Sequence, residues 1–204
     1  MSPQDFTIKP VTLALWDDFQ TLFTEPGIQN GCWCMFWRLR RADCQHGYGE
    51  GNRQAFKAVL ESGNVPGILA YHWGKPVGWC AIAPRADTPV LDRSPTLKAV
   101  DDQPVWSITC FFISKPFRRR RMTELLIHAA LDYARQNGAR IVEAYPLRTE
   151  ITKLLPYERY MGIQSTFERA GFRLAAQRSE RRPIMRYYFT DSLGVYDRAT
   201  RGAG

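Results

Sequence analysis

Hydrophobic and polar positions along the chain switch between a period of two and a period near 3.6, and the switches mark its elements. Phe6 to Ile8 alternates as a short first strand. After Thr12, a residue type that caps helices, Leu15, Trp16, Phe19, Leu22 and Phe23 recur at three- and four-residue spacing, which predicts a helix ending at Pro26-Gly27. Gly31 to Gly49 (GCWCMFWRLRRADCQHGYG) has no period and reads as a loop carrying rigid aromatic surface. From Glu50, Phe56, Val59 and Leu60 make a second helix, stopped by Ser62-Gly63-Asn64. Two β runs, Gly67 to His72 and Val77 to Ala83, meet at Gly74-Lys75 as a hairpin. Arg85 to Pro104 is polar and Pro-rich, a long loop of the kind that in compact domains tends to be functional.

The apolar run Val105 to Ile113 leads through Ser114 and Pro116 into four arginines, Arg118 to Arg121, and then a helix with Met122, Leu126, Ala129, Tyr133 and Ala134 on one face. Asn137-Gly138 stops it. Arg140 to Tyr145 is a strand closed by Pro146, and Leu147 to Gly162 a charged connection. Ile163, Phe167 and Ala170 mark a last helix ended by Gly171, with Phe172 to Ala175 and Met185 to Thr190 as final strands. No repeat or linker interrupts this order, so residues 1–190 are expected to form one α+β domain around a mixed sheet. Residues 191–204, ending RATRGAG, read as a disordered tail.

Composition narrows the function. No apolar run approaches the 18 residues of a membrane span, and MSPQDFTIKP lacks the basic-then-apolar order of a signal peptide. Five cysteines, an odd number without framework spacing, suit a reducing compartment; a cytoplasmic location is expected. The net charge of +8 calls for an anionic partner, either a phosphorylated cofactor or a nucleic acid. The arginines stand in clusters at 118–121 and 178–182, with Arg38, Arg40 and Arg41, and not in one helix-long stripe. Zinc-finger, homeodomain and RNA-recognition spacings are lacking, which favours the cofactor. A strand followed by a turn and a helix N-terminus is a seat for phosphate, because unpaired backbone N–H groups and the helix dipole converge there. Four guanidiniums reinforce it.

Strand, then FRRRRMTELL, then an amphipathic helix resembles the acetyl-CoA-binding motif of the GCN5-related N-acetyltransferases (GNAT). That pattern, Arg/Gln-x-x-Gly-x-Gly/Ala, lays onto Arg118, Arg119, Arg120, Arg121, Met122 and Thr123, with Arg121 and Thr123 standing where the family usually has glycine. CWCMFWR, VGWCAIAPR, VWSITCFF, VEAYP and STFERAGF extend the likeness to a bacterial subgroup. The resemblance implies a mostly antiparallel sheet splayed between its fourth and fifth strands, flanked by about four helices. It also implies acetyl-CoA as co-substrate, with the pantetheine arm against Phe111, Phe112 and Ile113 and with Phe167 packing on it. The partner would be an unidentified amine, acetylated directly in a ternary complex. A catalytically silent protein of this fold that binds CoA or another polyanion is the alternative, and a nucleic-acid module a more distant one. A homodimer is expected only as the commonest assembly.

Acetyl transfer needs a neutral amine, a stabilised oxyanion and an acid for the leaving thiolate. Ile141, Glu143 and Tyr145 share one face of their strand; Glu143 reads either as the base or as a partner for an arginine on the sheet. The family's frequent general acid is a tyrosine where this chain has Phe167, so either Ser165, Tyr145 or a water is expected to substitute, or the thiolate to leave without help from the protein. Trp33, Phe36 and Trp37 read either as an acceptor pocket or as packing on the sheet. Cys110 is better read as a small hydrophobe than as a nucleophile. Cys32, Cys34, Cys44 and His46 pose a zinc alternative, although their one-residue gaps are tighter than zinc-finger spacing and no metal is expected. Arg178, Arg181 and Arg182 read as a solvated turn.

Overall fold

The computed structural model describes residues 5–25, 31–148, 150 and 156–190. The expected helix stop at Pro26-Gly27 and the 191–204 tail lie outside them. The strands are β1 (Phe6–Pro10), β2 (Gly67–His72), β3 (Lys75–Pro84), β4 (Trp106–Ile113), β5 (Ile141–Ala144), β6 (Arg173–Ala176) and β7 (Ile184–Tyr188). The α-helices are α1 (Trp16–Phe23), α2 (Arg41–His46), α3 (Glu50–Glu61), α4 (Met122–Gln136) and α5 (Gln164–Arg169), with short 3₁₀ turns at Leu13–Leu15, Arg85–Asp87, Lys115–Phe117 and Pro156–Met161. Thr12 precedes the first of these turns without a side-chain cap, so α1 starts only at Trp16. The aperiodic aromatic stretch holds the one helix that its pattern does not announce, α2. It is six residues long, and only Cys44 is buried.

The seven strands form one sheet in the order β1-β2-β3-β4-β5-β7-β6, antiparallel throughout except between β4 and β5. β3 is buried over seven consecutive residues, Val77 to Ala83, because helices cover both its faces. On one face Leu126, Ile127, Ala130 and Leu131 of α4 pack with Phe167 of α5, Ile108, Phe111 and Val142. The buried stripe of α4 is broader than the predicted one, and Ala129 and Tyr133 lie at its margin. On the other face α1 and α3 close an aromatic core: Phe19 stacks on Phe56 at 4.1 Å and meets Trp79 edge-on at 5.0 Å. Trp33 joins this core, stacked on Phe23 at 5.8 Å, and so is a packing residue and not a pocket wall. Leu91, Leu97, Tyr145, Met161 and Ile184 form a third cluster beneath the long loop after β3. Among the described residues no helix is long and apolar enough to cross a membrane.

Candidate active site

The opening lies where β4 and β5 part. Their pairing stops at Ile108↔Ala144, whereas β4 runs on to Ile113. The split has a local cause on the other side of β4. Ala81 pairs with Cys110 but Ile82 with Ile108, so Thr109 is the extra residue of a β-bulge, which sharpens the strand's twist. Beyond it Phe111 and Ile113 face α4, while Cys110 and Phe112 face the aromatic core. Phe167 is fully buried, 6.0 Å from the Phe111 ring and 5.0 Å from Phe172. Gly162, at φ +82°, lets the chain turn onto this pair, because a Cβ there would stand 2.8 Å from Phe167. Ser165 is half-buried on α5 and already engaged.

The cleft leads from β4 into the arginine loop. Arg118 to Arg121 are exposed, and Met122 is the first residue of α4, tucked into the core beside half-buried Thr123. Arg118 donates from Nε to the Ile113 carbonyl at 2.9 Å and lies over the Phe112 ring, fastening the loop to the strand end. Arg119 and Arg121 have left-handed backbone, φ +62° and +58°, and the first intrahelical bond runs from Leu125 N–H to the Arg121 carbonyl. Arg121 thus keeps the conformation that glycine would adopt freely, at roughly 1–2 kcal/mol for a residue with a Cβ. Arg121→Gly is therefore expected to be about 1 kcal/mol more stable than Arg121→Ala in chemical denaturation. Equal stabilities would mean that the left-handed turn is not held in solution.

Glu143 and Tyr145 are wholly buried beside the closed end of the cleft, Glu143 opposite Ser107 where β4 and β5 still pair. The Glu143 carboxylate accepts from Arg186 Nε at 2.8 Å on one oxygen, and from Arg85 Nη1 at 3.0 Å and the Tyr145 hydroxyl at 2.8 Å on the other. Tyr145 in turn accepts from Arg85 Nη1 at 2.6 Å and touches Ser107 Oγ at 2.9 Å. Burial first, and the adjacent Glu143 charge second, push its phenol well above the usual range. The arginine reading of Glu143 is the one found: both of its oxygens are occupied, and it opens onto no solvent. The same guanidiniums hold the long loop. Arg85 reaches Asp92 at 2.6 Å and the Leu97 carbonyl, and Arg186 forks onto Asp101 at 2.6 and 2.8 Å. Arg178, expected in a solvated turn, donates to the Lys98 and Ala99 carbonyls instead.

The Trp/Cys segment packs on the aromatic-core side of the sheet. Trp33 and Cys34 take positive φ, which turns Trp33 into the core and sets Cys34 Sγ 3.1 Å from the Trp79 indole N–H that donates to it. All five cysteines are free thiols. Burial pushes Cys32 up to about 12, and contact with Cys34 together with burial raises Cys110 well above its usual value. Protonated thiols of this kind are poor nucleophiles. His46 is exposed, and among the described residues no three His, Cys, Asp or Glu stand together as a cation site. Phe36 and Trp37 meet edge-on at 4.9 Å and line a concavity of about 360 Å³ with Arg41, Val90, Arg93 and Ser94.

Sequence reading did not single out Tyr160. It stands on the 3₁₀ turn beside β4, with Arg182 over its ring at 5.7 Å. Burial pushes its phenol up to about 12; Arg182 pulls the other way, and Cys110 and Cys32 are near enough to raise it further. The Trp37 indole N–H is also close enough to favour phenolate, although Nε1 falls short of a formed hydrogen bond. Tyr160 is thus a protonated hydroxyl near Cys110 of β4 and near Trp37, which lines the concavity. Arg85 and Arg186 were missed as well. A signal existed for Arg85, which directly follows a long buried strand.

The model of the acetyltransferase (GNAT) family matches residues 33–152. No curated protein matches the sequence. Solved structures do. A GNAT-family acetyltransferase from Listeria monocytogenes superposes with TM-score 0.57 at 10% identity, over 90% of this chain and 95% of the other. One from Streptococcus agalactiae gives 0.54 at 12%, over 91% and 96%. PaiA N-acetyltransferase from Thermoplasma acidophilum, in complex with coenzyme A, gives 0.52 at 10%, over 93% and 100%. At such identities the likeness is one of fold, and it agrees with the splayed mixed sheet. With the family model spanning more than half of its residues, the chain belongs to the GNAT family of acetyltransferases.

Proposed function

We propose that the protein moves the acetyl group of acetyl-CoA directly to an amine, with no acyl-enzyme intermediate. The observation that carries this reading is the cleft itself. Residues 109–113 of β4 extend past the last β5 pair, and they lead straight into a left-handed, arginine-rich turn at the N-terminus of α4. An extended arm fits along such a strand edge, and a pyrophosphate fits at the helix start, where N–H groups, the dipole and Arg118 to Arg121 act together. The high-lying Cys110 thiol speaks against a covalent route.

On this reading the amine nitrogen attacks the thioester carbon, the carbon–sulfur bond breaks, and the sulfur leaves as thiolate. Tyr160 donates the proton to that sulfur, the role that Phe167 cannot fill, and the proton that the nitrogen sheds as the amide forms passes through water to the phenolate and restores Tyr160. An amine of pKa about 10.4 is neutral in roughly one molecule in a thousand at pH 7, so the aromatic wall of Phe36 and Trp37 serves to desolvate it. Glu143 is assigned to holding the long loop and not to taking the proton.

The test is thermal stability with acetyl-CoA, with CoA and a short RNA as controls. A ligand at a hundredfold its dissociation constant adds about 2.7 kcal/mol, or roughly 5–10 °C for a chain of this size. Both CoA species are expected to stabilise the protein and the RNA is not. The double variant Arg118→Ala, Arg120→Ala is expected to lose most of the shift at the same concentration. Stabilisation by RNA alone would overturn the reading.

A further inference from the structure

We infer that the concavity beside Trp37 holds the body of the acceptor and that this body is apolar and uncharged, so that the substrate is a monoamine on an aryl or branched alkyl group. This rests on the acetyltransferase reading and narrows it. The hollow of about 360 Å³ has two walls, Phe36, Trp37 and Arg41 on one side and Val90, Arg93 and Ser94 on the other. Its surface is apolar almost throughout, so Arg41 and Arg93 contribute their methylene stems, and their charged heads stand in the solvent to which both residues are exposed. The two walls are pinned to each other: the Val90 N–H donates to the Trp37 carbonyl at 3.3 Å, and Arg38 faces Asp87 at 3.6 Å. The loop behind Val90 is held in turn by Arg85, which bonds Asp92 and the Leu97 carbonyl. A hollow fixed on both sides exists before its ligand arrives, which spares the cost of ordering it.

Trp37 connects the hollow to the reacting centre. It lines the concavity, and its indole N–H lies close to the Tyr160 phenol, which is near Cys110 on the strand that borders the cleft. That N–H is buried without a hydrogen-bond partner, a donor still to be satisfied at the junction of hollow and cleft. A second ammonium, as on spermidine, would have to shed its water in a hollow that no acidic residue lines, with two cationic residues exposed at its rim. A carboxylate would shed its water there as well, against a surface with almost no polar atom. An aryl or branched alkyl group gains by leaving water, and a flat ring packs favourably on the edge-on Phe36 and Trp37 pair. The same apolar surroundings favour the neutral form of the one amine that the reaction needs.

The test separates this inference from the parent reading by measuring binding without turnover. Calorimetry in the presence of CoA compares N-acetylphenethylamine with N-ethylacetamide, which lacks the ring; neither carries a charge. The ring is expected to tighten binding at least about tenfold. The double variant Phe36→Ala, Val90→Ala, at positions that are exposed and half-buried, is expected to remove most of that difference while leaving the acetyl-CoA shift unchanged. Equal affinities, no binding of either compound, or a difference untouched by the variant would overturn the inference whatever acetyl-CoA does. In turnover, phenethylamine is expected to be acetylated at least about tenfold better, in kcat/KM, than ethylamine, spermidine or L-phenylalanine. Val90→Asp, which sets a carboxylate in the wall, should narrow its lead over spermidine. Spermidine or L-phenylalanine used as well as phenethylamine by the unaltered protein would overturn the apolar inference and leave the acetyltransferase reading standing. Failure to bind acetyl-CoA would instead defeat the parent reading.

Discussion

Glu143→Gln is expected to destabilise the fold by about 3 kcal/mol, a fall in Tm of roughly 6–12 °C. The substitution preserves shape but removes the buried anion between two guanidiniums. Asp92 and Asp101 still pair with Arg85 and Arg186, but their side chains are 54% and 39% exposed and screened by water, against 1% for Glu143. A glutamine also turns an NH₂ toward an arginine N–H, so one hydrogen bond becomes a donor–donor contact. Arg85 and Arg186 link β5 to Asp92, Leu97 and Asp101, so the damage reaches the loop that carries Val90, Arg93 and Ser94. KM for the acceptor should therefore rise while acetyl-CoA affinity holds. If stability were unchanged and only kcat fell, Glu143 would be the base after all. Arg186→Met gives the mirror test. It removes the partner of one Glu143 oxygen and of Asp101 and is expected to destabilise comparably, whereas a base role predicts no such symmetry.

Most of the fold was legible because its elements announce themselves locally. The apolar β runs of β2 and β3 with Gly74-Lys75 between them, the α4 stripe with Asn137-Gly138 behind it, and the strand-turn-helix around Pro116 each lie within a short window. What the window could not hold was pairing. Glu143 was placed on the correct strand, but its partners lie 58 residues upstream and 43 downstream, and no periodicity connects them. Trp33 shows the converse limit. It reads like Phe36 and Trp37, and only the left-handed backbone at 33 and 34 turns it inward, away from them. Arg121 looked like a defect in a glycine position, yet its φ of +58° keeps the glycine conformation and adds a charge. Residue identity alone does not reveal whether a turn has been abandoned or merely strained.

Tyr160→Phe is expected to lower kcat about a hundredfold or more, the usual range for a positioned proton donor, with the fold and acetyl-CoA affinity unchanged. The ring stays, so its packing and the Arg182 contact at 5.7 Å persist, and only the hydroxyl is lost. The pH profile carries the sharper information. With the phenol pushed up to about 12, the donor form is present throughout the working range. The rate of the unaltered protein should therefore climb with pH as the acceptor amine deprotonates, and should not turn down on the alkaline side before the phenol itself ionises. Tyr160→Phe should follow the same climb to a lower plateau, because the amine still sets its shape. A sulfur that leaves easily needs the donor least, so an acetyl thioester of an acidic aryl thiol should narrow the gap between the two proteins. A gap as wide as with acetyl-CoA would place the lost hydroxyl at some other step. An unchanged kcat would return the proton to water and leave Tyr160 as part of the wall beside Trp37.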